Sequence, residues 1–110
     1  MYSTIDAETL KQKLDSNEKL HLVEVLAEKE FKRLHIPGAE HIQFGQIAGE
    51  AKKRFQKEDE IIVYCADTEC SASPTAAKKL DDIGFTNVFD FVGGKKAWKE
   101  AGFPMEGEEA

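Results

Sequence analysis

The chain of 110 residues has no apolar run that approaches the roughly 20 residues needed to span a membrane. Its first residues, MYSTIDAETLKQKL, have neither the basic start nor the apolar stretch of a secretory signal. There are also no repeats, linkers or low-complexity stretches. We therefore expect a single soluble domain over residues 1–110, with a core of about 3–104 and a short acidic tail, located in the cytoplasm.

Positive charge is also scarce. Fifteen Lys and Arg residues face 21 Asp and Glu residues, which gives a net charge of −6. A field of this sign repels a phosphate backbone, so nucleic acid is not an expected partner. Hydrophobic residues make up 41% of the chain, which is ordinary for a folded domain and too apolar for a disordered one.

Cysteine is limited to two residues, Cys65 and Cys70, in a chain without a secretory signal. A disulfide framework is therefore improbable, and a reactive or buried thiol is the better expectation. Two thiols supply only half of a tetrahedral zinc shell, and His21, His35 and His41 are not at ligand spacing. No metal site is predicted, and the two cysteines are the residues to explain.

Apolar patterns along the chain alternate between short β-branched runs and helical stripes. This alternation is typical of a mainly parallel sheet with helices on both faces. The run EIIVYC is continuous and short, so it is predicted to be a central strand buried on both sides. Strands are predicted at 20–25, 40–42, 60–65 and 87–92, and helices after an N-cap at Asp6 and at 27–34, 44–55, about 76–83 and 93–102.

Cys65 is the last residue of the predicted central strand. Ligands of open parallel sheets bind beyond the carboxyl ends of the strands, and the next helix points its free N–H groups toward this loop. Such a site favours a thiolate, so we expect Cys65 to be a nucleophile with a lowered pKa. A lone Cys at the end of an apolar strand is more often a small buried hydrophobic residue, and the strand-to-helix position with its polar loop makes the two interpretations equally good.

Three stretches make the chain similar to single-domain rhodaneses from about Ile5 to Pro104. They are LHLVEVLAEKEFKRLHIPGAEHI, IIVYC and GFTNVFDFVGGKKAWKEAGFP. The resemblance implies a five-stranded parallel sheet with helices on both faces, and a catalytic Cys65 that carries a sulfane sulfur as a persulfide. It implies no cofactor. The implied partners are a small sulfur donor and a thiol or cyanide acceptor, with a sulfur-carrier protein as a further candidate.

The loop after Cys65 departs from the family pattern. Many members have Arg five positions after the cysteine, where Cys70 stands here, and Leu26 replaces another customary Arg. The loop has no cation but contains Asp67 and Glu69, so we expect polysulfide or a persulfide to be a better donor than the dianion thiosulfate. Lys95 and the neighbouring Lys96, after the last strand, are weak candidates for compensating cations. The candidate substrate-binding or loop residues are Ala66, Asp67, Thr68, Glu69, Cys70, Ser71 and Lys95.

Two features of this loop leave alternatives open. The helix begins either near Ser71 or later, with Ser73 as its cap and Pro74 in its first turn, and we favour the later start. Cys70 is either a resolving thiol for Cys65 or a small residue tolerated in a variable loop. For the whole chain, the alternative to an enzyme is a non-catalytic rhodanese-like binding or redox-sensing module.

Overall fold

The computed structural model describes residues 1–110 and contains a single sheet of five strands, all parallel. In chain order the strands are β1 (Ser3–Ile5), β2 (His21–Glu24), β3 (Glu40–His41), β4 (Ile61–Tyr64) and β5 (Val88–Phe91). Their order in the sheet is β1-β5-β4-β2-β3, so β4 is central. The predicted fold class is confirmed, and the expected mainly parallel sheet is wholly parallel.

Five helices connect the strands and cover both faces of the sheet. They are α1 (Ala7–Asp15), α2 (Glu28–Arg33), α3 (Ile47–Arg54), α4 (Ala72–Asp82) and α5 (Gly94–Glu100). The core on one face includes residues of α3 and α4, and the core on the other includes Leu10 of α1 and Trp98 of α5. None of the helices has both the length and the apolar character needed to cross a bilayer.

Strand β4 is buried on both sides, as its continuous apolar sequence predicts. Ile61 and Val63 belong to the core on the α3 and α4 side, whereas Ile62 and Tyr64 belong to the opposite core. Cys65 continues this alternation and lies on the same side as Val63. The strand thus delivers the Cys65 side chain beneath α4.

Strand β1 is absent from the strands predicted from sequence. It has only three residues, of which only Ile5 is buried, and it pairs with β5 at the edge of the sheet. So short a segment shows no usable alternation of polar and apolar residues. The strand exists because β5 offers it a ladder of backbone partners.

The helix predicted over 44–55 is also corrected. A 3₁₀ turn (Phe44–Gln46) precedes α3, which ends at Arg54. Ile47 and Ala51 are buried, but Phe44 is 45% exposed. The 3₁₀ turn has about 3 residues per turn instead of 3.6, so Phe44 does not lie on the buried face of α3.

Candidate active site

Cys65 lies immediately after β4, at the carboxyl edge of the sheet, and is only 1% exposed. The loop of residues 66–71 follows it and leads directly into α4. In a parallel α/β fold this edge is where ligands bind. The structure therefore places Cys65 at the position predicted from the sequence.

The start of α5 holds the first part of this loop. The backbone N–H of Lys95 donates to the carbonyl of Cys65 at 3.0 Å, and that of Lys96 donates to the carbonyl of Ala66 at 2.9 Å. Gly94 permits this approach: it has a φ of +60°, and a Cβ there would lie 2.4 Å from the Cys65 carbonyl oxygen. The glycine is thus needed for backbone geometry.

The sulfur of Cys65 has two polar neighbours. Its thiol donates to the hydroxyl of Ser73 at 3.4 Å and to the carbonyl of Cys70 at 3.7 Å. Burial, with the Cys70 side chain adding to it, raises the pKa of the Cys65 thiol to about 11, although Ser73 opposes the rise through its hydroxyl and backbone N–H. The expected lowered pKa is therefore wrong for the resting protein, because burial outweighs the helix N-terminus.

The acidic loop is ordered by its own hydrogen bonds. The Asp67 carboxylate accepts from the backbone N–H of Glu69 at 3.0 Å, and the Asp67 carbonyl accepts from that of Cys70 at 3.3 Å. Thr68 and Glu69 are exposed at its tip. Asp67 thus shapes a turn as well as adding negative charge, a role the sequence analysis did not assign.

The favoured later start of α4 is wrong. Ser71 is the N-cap and the helix begins at Ala72, so Pro74 is its third residue. A proline is acceptable there because the first N–H groups of a helix have no partner within the helix. Cys70 consequently lies at the end of the loop, just before the cap, and not in its middle.

Cys70 is half-buried, and both cysteines are free thiols. Its side chain packs against the core cluster that contains Cys65, and the two thiols interact closely enough to raise the Cys65 pKa. The loop therefore brings Cys70 beside Cys65, with the Cys70 carbonyl 3.7 Å from Cys65 Sγ and Cys70 the more accessible of the pair.

The Lys95 side chain points into the fold. Its ammonium group lies 2.9 Å from Glu24 Oε2 and donates to the Glu30 carbonyl at 2.9 Å. Tyr64 donates its hydroxyl to Glu24 Oε1 at 2.9 Å and accepts from the Ile36 N–H at 3.1 Å. The ammonium group is thus engaged in a buried ion pair, whereas Lys96 is exposed.

Asp90 is a buried residue that the sequence analysis missed. It lies in β5 beside Val63 of β4 and is 2% exposed. Burial raises its pKa, and the Ser73 hydroxyl lowers it. Its signal in the sequence is an acidic residue in the middle of the apolar run VFDFV. The Ser73 hydroxyl thus influences Asp90 and also accepts from the Cys65 thiol.

Two clefts border the loop. One, of about 540 Å³, is mostly apolar and reaches the loop at Thr68; Phe89, Phe91 and Val92 line part of it. The other, of about 270 Å³, reaches the loop at Ala66 and is lined by Arg33, Lys96 and Lys99 among others. We call the second the basic cleft, and it provides positive charge that the loop itself lacks.

Metal ligands do not converge anywhere in the fold: no three His, Cys, Asp or Glu side chains are grouped so that they could hold a metal ion. The histidines bond within the protein. His35 Nδ1 lies 2.8 Å from the Phe31 carbonyl, and His41 Nε2 lies 2.6 Å from the Leu26 carbonyl. His21 pairs with Glu40 at 2.8 Å.

Comparison with known proteins agrees with this arrangement. Residues 6–101 match the family described as Rhodanese-like domain. The chain belongs to the rhodanese-like family. This rhodanese-like chain is 33% identical over 95 residues to "Putative sulfurtransferase YtwF" of Bacillus subtilis, a match that spans 86% of this chain and 88% of the relative.

A second relative is longer. "Putative sulfur carrier protein YrkF" of Bacillus subtilis is 34% identical over 94 residues, which cover 86% of this chain and 49% of the relative. The chain thus spans about half the length of that protein. Among solved structures, the BH2092 protein of Bacillus halodurans superposes with a TM-score of 0.90 at 30% identity and covers 97% of this chain and 78% of its own.

Proposed function

We propose that this protein is a sulfurtransferase in which Cys65 carries a sulfane sulfur as a persulfide. A polysulfide, persulfide or thiosulfate-type donor supplies the sulfur, and a thiol, cyanide or a sulfur-carrier protein accepts it. The observation that carries this proposal is the position of Cys65 between the central strand and the first turn of α4, in a chain of the rhodanese-like family. The names of the relatives, a sulfurtransferase and a sulfur carrier, support the same chemistry.

The chemistry consists of two displacements at sulfur. The Cys65 thiolate attacks the sulfane sulfur of the donor, a new S–S bond forms, and the donor's own S–S bond breaks to release a thiolate, a shortened polysulfide or sulfite. An acceptor thiolate then attacks the outer sulfur and restores Cys65. The Ser73 backbone N–H favours an anion at Cys65, and the acidic side chains of Asp67 and Glu69 oppose a doubly charged donor.

The raised pKa of Cys65 explains why the resting site holds a thiol. At neutral pH most molecules carry the S–H form, which donates to Ser73 and Cys70. The same observation favours the second candidate, a non-catalytic binding or redox-sensing module, because a thiol is a weak nucleophile. The two candidates differ in whether Cys65 accepts sulfur.

Mass spectrometry after exposure to polysulfide tests the proposal. The intact protein should gain the mass of a sulfur atom, which peptide mapping should place on Cys65, and cyanide should remove it. Cys65→Ser is the control and should gain nothing at this position. An unmodified Cys65 in the wild-type protein would favour the binding module.

Comparison of donors tests the expectation that Asp67 and Glu69 disfavour a doubly charged donor. With a single acceptor thiol, polysulfide or a persulfide should give a higher kcat/KM than thiosulfate. A clear preference for thiosulfate would contradict this expectation and assign the missing attraction to the basic cleft.

Cys70 acts in this proposal as a resolving thiol. Its thiolate attacks Cys65 Sγ in the persulfide, a Cys65–Cys70 disulfide forms, and the outer sulfur leaves as hydrosulfide, so no external oxidant is required. The packing of Cys70 against the cluster that contains Cys65, and its effect on the Cys65 pKa, support this role.

A further inference from the structure

Three buried carboxylate oxygens lack a conventional hydrogen-bond partner: Glu24 Oε2, Glu60 Oε2 and Asp90 Oδ1. Two of them face a cation, since Lys95 Nζ lies 2.9 Å from Glu24 and Lys13 Nζ lies 2.8 Å from Glu60. Asp90 has no such cation. It is the single carboxyl group among the three whose charge is not compensated.

The surroundings of Asp90 make an uncompensated charge costly. The residue lies in β5, beside the central strand, on the face that α4 covers with Ala76 and Ala77. A carboxylate in such a place costs free energy that an apolar residue would not. Only burial and the Ser73 hydroxyl influence its pKa, so no charged group of a neighbouring element assists it.

Ser73 connects this carboxyl group to the reactive sulfur. It is 1% exposed and lies in the first turn of α4. Its hydroxyl is 3.4 Å from Cys65 Sγ, and it lowers the pKa of the Asp90 carboxyl group, which lies on the same side of β5 as Val88, beneath α4. A hydroxyl can accept one proton and donate another at the same time, so Ser73 is suited to pass a proton between its neighbours.

We propose that Ser73 and Asp90 form a buried proton path that receives the proton of Cys65 when its sulfur attacks a donor. This inference rests on the proposed function and assigns further residues to it. Ser73 touches the reacting sulfur and is a catalytic residue, whereas Asp90 acts through Ser73.

The proton balance is as follows for a protonated persulfide donor. The Cys65 S–H bond breaks and its proton passes to Ser73 Oγ, while the Ser73 hydroxyl proton passes to Asp90. The thiolate bonds to the terminal sulfane sulfur, the S–S bond of the donor breaks, and the proton of the terminal sulfur passes to the leaving thiolate. The products are a Cys65 persulfide anion, a neutral Asp90 and the free donor thiol.

This balance keeps the charge of the site constant. Before the reaction the negative charge is on Asp90, and afterwards it is on the persulfide. Two negative charges close together in a buried site would strongly disfavour each other. Because the proton stays inside, the persulfide anion forms beside a neutral carboxyl group.

The test measures the rate at which Cys65 is loaded from a persulfide donor in a single turnover. Asp90→Asn and Ser73→Ala should both slow loading by about 100-fold at neutral pH, a size expected for loss of general-base assistance. Ser73→Thr retains a hydroxyl and should keep most of the rate. Thr75→Ala is the matched control, because it removes an exposed hydroxyl from the same helix.

Two further readouts separate a proton path from a structural role. The loading rate of the wild-type protein should fall at low pH as Asp90 becomes protonated, and Asp90→Asn should lack this limb. Asp90→Asn should also be at least as stable as the wild type, since it removes an uncompensated charge. A variant that is slower and no less stable is not damaged in its fold.

Alkylation of Cys65 by iodoacetamide gives a readout that needs no sulfur transfer. Removing a negative charge without other effect would favour the thiolate and speed alkylation in Asp90→Asn, whereas loss of the proton acceptor slows it. Faster or unchanged alkylation and loading in this variant would overturn the proton path but leave the sulfurtransferase proposal standing. Failure of wild-type Cys65 to take up sulfur would overturn both.

Discussion

Glu24 in β2 and Asp90 in β5 are two buried acids on the strands that flank β4, and they differ in their hydrogen-bond and ion-pair partners. Glu24 faces the core that contains Tyr64 and has the Lys95 ammonium group and the Tyr64 hydroxyl as partners. Asp90 faces the opposite core and has only Ser73. Burial raises the pKa of both carboxyl groups.

The difference indicates two uses of a buried charge. The Glu24 pair joins β2 to the residue whose backbone holds the Cys65 carbonyl, so it connects the sheet with the start of α5. Asp90 is connected instead, through Ser73, to the sulfur of Cys65. A fully partnered carboxylate stabilises a position, whereas a partly partnered one remains free to change its protonation state.

Breaking the Glu24 pair should have the largest effect on stability. Lys95→Met leaves a buried uncompensated carboxylate, and we expect the free energy of unfolding to fall by about 3–5 kcal/mol. Chemical denaturation measures this loss. The double variant Glu24→Gln/Lys95→Met should recover a large part of it.

The matched control for that prediction is an exposed pair. Lys78 and Asp82 lie 3.3 Å apart on α4 with most of their side chains in solvent. Lys78→Met should cost less than about 1 kcal/mol. Equal losses in the buried and exposed pairs would contradict the role assigned to Glu24 and Lys95.

The two thiols also differ in exposure, since Cys65 is buried and Cys70 is half-buried. With mild oxidant, the wild-type protein should lose two titratable thiols reversibly as the Cys65–Cys70 disulfide forms. Cys70→Ser has no resolving thiol, so its Cys65 should proceed to sulfinic acid, which thiol reductants do not reverse. Mass spectrometry distinguishes the products, and equal sensitivity of the two proteins would leave Cys70 as a bystander.

The difference in stability between Asp90→Asn and the wild-type protein should depend on pH. Because burial raises the folded-state pKa of Asp90, the wild-type protein loses stability as pH rises from the ordinary Asp value of about 3.9 through the raised value. The variant lacks this loss. Its advantage should be near zero at the acidic end, grow across that window, and level off on the order of 1 kcal/mol.

Denaturation of both proteins at several pH values measures that advantage. Glu24→Gln is the useful counterpart, because it leaves the Lys95 ammonium group buried without its partner. It should be less stable than the wild type at neutral pH. An Asp90→Asn variant that loses stability at neutral pH would refute the statement that Asp90 is uncompensated.

The basic cleft should have the smallest effect. Lys96→Ala and Lys99→Ala should each raise the KM of an anionic donor by about two- to fivefold, because exposed charges contribute roughly 1 kcal/mol or less. The effect should shrink at high salt. Lys79→Ala, on the exposed side of α4, is the control and should leave KM unchanged.

The sequence predicted the part of this molecule that depends on local pattern. The apolar run before Cys65, the helical stripe of Ala76, Ala77 and Leu80, and the Asp6 cap, which accepts from the Thr9 N–H at 2.8 Å, all appear in the structure. These features depend on residues close together in the chain, so their spacing is visible in the sequence.

The features that depend on distant residues were predicted less well. The sign of the Cys65 pKa shift follows from how much of the fold covers the sulfur, which no local pattern records. The partner of Lys95 lies 71 positions away, at Glu24. β1 forms because it pairs with β5, which lies far away in the sequence. The role proposed for Asp90 depends on Ser73 of α4, whose proximity no local pattern predicts.

Two hydrogen bonds join the start of α5 to the carbonyls of Cys65 and Ala66, so this part of the loop should open less often than the residues that follow. Opening the loop at Cys65 requires α5 to separate from the sheet edge, which is a rare event of a large cooperative unit. Residues 67–69 bond only to one another and to Cys70, so they can open alone. Under the proposed function, a sulfur donor or carrier gains access by displacing this short segment, while the Cys65 sulfur stays in place.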